Sequence, residues 1–111
     1  MPFDEQLTER ARAALTDVTD LQERKMFGGL AFLVSGHMAC GIVGDELMLR
    51  LGAEGADAAL DEPNVRPMDF TGKPLRTMVF VEPAGLQSDQ ALAAWVERAL
   101  TFVRTLPPKT R

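Results

Sequence analysis

Nucleophilic and metal chemistry need particular side chains to converge, and this sequence offers few of them. It holds one histidine, His37, and one cysteine, Cys40. A lone imidazole cannot supply the cluster of ligands that a catalytic metal takes. His37-Met38-Ala39-Cys40 has a ligand-like spacing, but residues three apart on a regular strand point to opposite faces. The pair is therefore expected neither to share a metal nor to act as thiolate and base. Cys40 reads as a small core residue with the parity of Met38 and Ile42. Gly72-Lys73 lacks the setting of a phosphate loop, because Pro67 stands where the loop's first glycine belongs and Pro74 where its Ser or Thr belongs. The acid pairs Asp4-Glu5, Asp45-Glu46 and Asp61-Glu62 fall at the ends of expected elements and read as caps and turn residues. No catalytic residue, metal or cofactor is expected. A small-ligand cleft would have to use Arg50, Asp69 and His37, which share no motif spacing.

Two segments do not fit a purely structural role so easily. Arg24-Lys25-Met26-Phe27-Gly28-Gly29 sets two cations beside two large apolar residues and two glycines. Such glycines serve a bulge, a positive φ, or the close approach of another chain. Pro67-Met68-Asp69-Phe70-Thr71-Gly72-Lys73-Pro74 again places apolar side chains in a turn-forming stretch. Either Met26, Phe27, Met68 and Phe70 plug the ends of the core, or they form an apolar patch rimmed by Arg24, Lys25, Arg66, Lys73 and Arg76. The second arrangement marks a protein-binding surface. The candidate surface is thus Arg24, Lys25, Met26, Phe27, Gly28, Gly29, Arg66, Met68, Asp69, Phe70, Lys73 and Arg76.

The elements that must position these residues can be read from periodicity. Asp4 caps a first helix, and Leu7, Ala11, Ala14, Leu15 and Val18 form its apolar stripe. Leu30 to Val34 is apolar almost throughout and predicts a strand. Ser35-Gly36 and Gly44-Asp45 predict tight turns, the latter of type II′ because glycine comes first. His37 to Val43 runs between them, and Leu47, Leu49 and Leu51 alternate with Met48 and Arg50, completing an antiparallel meander. Gly52 to Leu60 predicts a short helix stopped before Pro63. Val65 to Met68 predicts an edge strand, since Pro67 has no N–H for a ladder. Asp69 to Pro74 predicts a loop, and Met78 to Val81 a strand ended by Pro83-Ala84-Gly85. Ser88 caps a last helix whose apolar face runs from Leu92 through Trp95 to Leu106, before Pro107-Pro108. The expected fold class is α+β: a single two-layer domain over residues 1–111, core about 3–108. Its sheet is mainly antiparallel, of about five strands, packed with N- and C-terminal helices.

Composition bounds the function from the other side. The 111 residues are 46% hydrophobic and 25% charged, which excludes a disordered or collagen-like chain. Net charge is −4, so nucleic acid is not the expected partner. Base is nevertheless concentrated in residues 63–111, where Arg98, Arg104, Lys109 and Arg111 would be the phosphate contacts if nucleic acid were bound. No apolar run is long enough for a membrane span, and the N-terminus lacks a basic region followed by an apolar one. A single cysteine cannot form an intrachain disulfide, which suits a cytoplasmic location. A protein partner is expected, and a second copy of the chain could pair at the Val65–Met68 edge.

A family resemblance joins these readings. The run from Arg24 to Phe32, the run from Arg66 to Gly72, and Ala94-Trp95-Val96 through Leu106-Pro107-Pro108 together resemble the TfoX N-terminal domain family. The likeness spans roughly Phe3 to Pro108, and the Lys25-Met26-Phe27-Gly28-Gly29 string is its specific part. It implies a compact α+β domain with an antiparallel sheet flanked by helices. It also implies a regulatory role, for the family is named after bacterial regulators of natural competence. Those regulators act with a cyclic-AMP-responsive transcription factor to switch on DNA-uptake genes. They carry a second, C-terminal helical domain, for which a chain ending at Arg111 has no room. The expectation is a single-domain, non-enzymatic interaction module whose partner is a protein, a transcription factor being one candidate.

Overall fold

A computed structural model of the chain describes residues 4–26, 28–68 and 75–106. Helix α1 (Glu5–Ala14) begins where expected, because the Asp4 carboxylate accepts from the Leu7 N–H at 3.0 Å. The Asp4 N–H itself donates to the carbonyl of Gly44 at 2.7 Å, which fixes the start of the helix against a turn of the sheet. The helix ends at Ala14 with Leu15 as its C-cap, short of Val18, which packs on the core from the loop. Thr16, Asp17, Val18 and Thr19 are all poor helix formers, which accounts for the early stop.

Strand β1 (Leu21–Met26) follows, and it raises the expected strand count from about five to six. Its centre is Gln22-Glu23-Arg24-Lys25, so no apolar alternation announces it. β2 (Gly29–Val34), β3 (His37–Val43) and β4 (Glu46–Arg50) extend it as an antiparallel meander. Ser35 (φ 52°) and Gly36 (φ 85°) are both left-handed, as a type I′ turn requires. Helix α2 (Gly52–Leu60) leads to β5 (Val65–Met68) and β6 (Leu75–Val81). A 3₁₀ turn (Pro83–Leu86) precedes α3 (Asp89–Val103), whose cap is Ser88 accepting from the Ala91 N–H at 3.0 Å. The α3 helix ends at Val103, one turn before Leu106. The expected Asp69–Pro74 loop lies outside the described residues.

The sheet order is β1-β2-β3-β4-β6-β5, with every neighbouring pair antiparallel. Residues from all three helices, among them Leu7, Ala11, Ala59, Leu92, Val96 and Leu100, close over Phe32, Cys40, Ile42, Leu47, Leu49 and Val79. A smaller cluster of Met48, Met78 and Phe80, with Met38 and Val43 beside it, lies on the opposite face. No helical residue joins that cluster among the described residues. The α+β, two-layer architecture is thus as the periodicity predicts, with α2 adding to the terminal helices.

Candidate interaction surface

The one histidine and the one cysteine do share a face, contrary to the regular-strand expectation. The register between β2 and β3 runs Phe32↔Cys40 and then Leu33↔Met38, leaving Ala39 as an extra residue in β3. This bulge resets the alternation. His37 comes opposite Val34, and Val34 and Cys40 both belong to the helix-side core. Met38 joins the opposite cluster, so it does not share the parity of Cys40. Cys40 is nonetheless fully buried, and burial pushes its thiol up to about 12, well above the range of a nucleophilic thiolate. Among the described residues, no group of three or more His, Cys, Asp and Glu is placed to hold a metal ion. Arg50 lies over the Phe102 ring at 5.8 Å, His37 is buried at the start of β3, and Asp69 lies outside the described residues.

The two apolar–basic segments fall far apart. β1 and β5 are the two outer strands, separated by five strand spacings, or roughly 24 Å across the sheet. Following the antiparallel ladder from β1 to β5 shows that their C-terminal ends also point in opposite directions. Met26 and Met68 therefore mark diagonally opposite corners. Arg24 and Lys25 sit in β1, Arg66 in β5 and Arg76 in β6. Phe27, Asp69, Phe70 and Lys73 lie outside the described residues. Among the described side chains of this set, Arg24 and Lys25 stand on one outer strand and Arg66 on the other, with the sheet's width between them.

The paired glycines have structural duties at the β1–β2 corner. Gly28 takes φ +74° in the connection. A Cβ on Gly29 would stand 2.0 Å from the Ile42 carbonyl oxygen and 3.1 Å from the Val43 Cα, so the close approach is that of β3.

Charge separates the two corners further. Arg66 donates through Nε to Glu46 at 2.8 Å and through a second nitrogen to the other carboxylate oxygen, and it lies 4.5 Å over the Phe80 ring. Hydrogen bonding to Glu46 raises its pKa. Arg10 holds Asp89, Arg12 holds Glu9 and Glu23, Arg98 holds Glu62 and stacks on Trp95, and Arg104 holds Glu97. Two members of the suggested phosphate-binding set, Arg98 and Arg104, are thus tied to carboxylates, while Lys109 and Arg111 lie outside the described residues. Arg24 and Lys25 are exposed, and among the described side chains they are the two cations with neither a carboxylate nor a ring partner. What the sequence did not reveal is that they lie on an outer strand, a fact that only its pairing with β2 discloses.

One further concavity was not foreseen. A cleft of about 550 Å³ opens between the start of α2 and the last turns of α3, lined by Leu51, Gly52, Gly55, Arg98, Phe102 and Thr105. No helix among the described residues is long and apolar enough to cross a membrane.

An open six-stranded antiparallel sheet with three helices on one face, and one corner of unpaired positive charge among the described residues, defines a small α+β domain. The model of the TfoX N-terminal domain matches residues 13–103, from the last turn of α1 to the end of α3, and the chain belongs to that family. No curated protein matches it.

Proposed function

We propose that the chain is a non-enzymatic regulatory module of the cytoplasm that works by binding another protein. Membership of a family named for a competence regulator supplies the class. The observation that carries the reading is the pair Arg24 and Lys25, left without partners on an outer strand while the other described cations are engaged. Free positive charge at one place complements an acidic patch on a partner and steers its encounter. The burial of Cys40 agrees with it, since the one thiol is unavailable as a nucleophile. Affinity capture from the native cell tests the proposal: a protein retained in stoichiometric amount, and rebinding as purified components, is expected. Capture of no specific partner, or turnover of a substrate by the purified chain, overturns it.

A small-ligand reading has one observation behind it, the cleft between α2 and α3. A metabolite at 100 times its dissociation constant would stabilise the fold by about 2.7 kcal/mol. A thermal-shift screen that finds such a metabolite, and loses it in Phe102→Ala, would favour this reading.

A further inference from the structure

We infer that the outer edge of β1 accepts an extended acidic strand from the partner protein, adding a seventh strand to the sheet. The inference rests on the interaction-module reading and names its surface.

The first argument is which backbone groups point outward. In an antiparallel pair, residues alternate between facing the partner strand and facing away. Ser35 donates its N–H to the carbonyl of Asp20, and the register carries that pairing on to Gln22↔Leu33, Arg24↔Ala31 and Met26↔Gly29. The even-numbered residues of β1 therefore face β2. Leu21, Glu23 and Lys25 present their N–H and C=O groups to the outside. All three have an N–H, and the register with β2 runs through six pairs without a bulge.

The other edge is built in the opposite way. Glu82 donates to the Asn64 carbonyl, which by the same alternation turns Val65 and Pro67 outward on β5. Pro67 has no N–H to offer an incoming strand, and the register shifts immediately after it. A proline and a bulge on a four-residue strand are devices that close an edge. β1 carries neither. Among the described residues, one edge of the sheet is closed and the other is open.

Charge then selects what the open edge accepts. Glu23 is the one acid of β1, and both of its oxygens are taken by Arg12 at 2.7 and 2.8 Å. Lys25 projects to the helix face with Leu21 and Glu23, and Arg24 to the opposite face. An added strand thus meets one free cation on each face, at neighbouring positions. Consecutive acidic residues answer this in either strand direction, because consecutive side chains also go to opposite faces. A second copy of β1 fits worse. The two longest symmetric registers that join outward-facing residues and keep the helices on one side place Glu23 on Glu23 or Arg24 on Arg24 at the axis; the second also sets Lys25 opposite Glu23, but Arg12 already holds both oxygens of that carboxylate. Like charges directly opposite destabilise a ladder.

A synthetic strand peptide, acetyl-Thr-Val-Thr-Glu-Asp-Thr-Val-Thr-amide, tests this against its Lys-Lys counterpart. Amide hydrogen exchange is read residue by residue on the full chain. At about nine times the dissociation constant, the Leu21, Glu23 and Lys25 amides should exchange about tenfold more slowly, while Gln22 and Arg24, already bonded to β2, change little. The exposed double reversal Arg24→Glu/Lys25→Glu should lose the acidic peptide and gain the basic one, and Lys25→Pro should weaken the acidic peptide more than Lys25→Ala does. Unchanged exchange at millimolar acidic peptide, or equal affinity for both peptides, overturns the inference. If the double reversal still retains the protein captured by the wild type, the edge is wrong while the module reading stands. If the wild type captures nothing, the module reading itself has failed.

Discussion

Cys40 and Gly29 show how residue types that suggest chemistry are instead fixed by packing. The Cys40 side chain is enclosed by both layers of the core, and desolvation alone holds its thiol near 12 against an ordinary 9.0. Between those values the unfolded chain loses the proton that the folded chain keeps. Stability from this group is therefore constant below pH 9 and falls as pH rises above it. Cys40→Ala should abolish that part of the alkaline slope in denaturant titrations taken between pH 8.5 and 10.5. At pH 8 the native protein should resist a thiol reagent that labels it fully in denaturant; rapid native labelling would show that the burial is wrong. Gly29 offers a sharper test of geometry. Its missing Cβ is replaced by the backbone of β3, which cannot step aside as a side chain can. Gly29→Ala should cost at least the roughly 1–3 kcal/mol typical of overpacking, seen as a lowered denaturation midpoint with unchanged cooperativity.

At the scale of elements, α1 is joined to β1 by the Arg12–Glu23 pair. The hydrogen bond from Arg12 holds the Glu23 carboxyl below its ordinary 4.5. A depressed acid adds stability that is fully present above its ordinary value and is lost as pH falls through the folded one. The pair is partly exposed, so Glu23→Gln should cost only about 0.2–1 kcal/mol at pH 7, and less at pH 3. Melting curves at the two pH values decide it. β5 is governed by Pro67, whose missing N–H faces outward. Pro67→Val restores a donor there and should make the protein associate with rising concentration, as sedimentation would detect; a variant that stays monomeric would show that some other feature guards this edge. These two strands also mark the limits of what the sequence discloses. Leu47, Leu49 and Leu51 alternate cleanly, and Gly52–Leu60 is bounded by a glycine and a proline turn, so both elements are legible to within a residue. β1 is an outer strand whose middle four residues are polar, and its partner, not its own pattern, makes it a strand. The bulge at Ala39 is likewise a product of pairing, which is why local spacing put His37 and Cys40 on opposite faces when they share one. Arg24 and Lys25 stood out in the sequence as adjacent cations beside apolar residues. Their distance from Arg66 did not, because sheet order is a long-range fact that places β5 at the far edge.

For the molecule as a whole, the distribution of charge matters more than its sum. The chain is net −4, and its described arginines in the helices and in β5 are consumed by internal pairs with Asp89, Glu9, Glu23, Glu62, Glu97 and Glu46. An acidic partner therefore feels repulsion at long range and attraction only within about a Debye length of the β1 edge, near 10 Å at 0.1 M salt. The same layout bears on nucleic acid. A phosphate backbone needs a row of free cations, and Arg24 and Lys25 alternate between the two faces of β1. Each phosphate engaged contributes about −0.9 to the slope of log affinity against log salt for duplex DNA, so this corner can supply no more than about −1.8. Titrating duplex DNA at low salt should thus show weak binding at most, with a shallow salt dependence that Arg24→Glu/Lys25→Glu removes. A slope of about −1.8 that survives the double reversal would mean that Arg98 and Arg104 release Glu62 and Glu97 to reach phosphates. The charge pairing of these arginines would then be the resting state of a nucleic-acid binder.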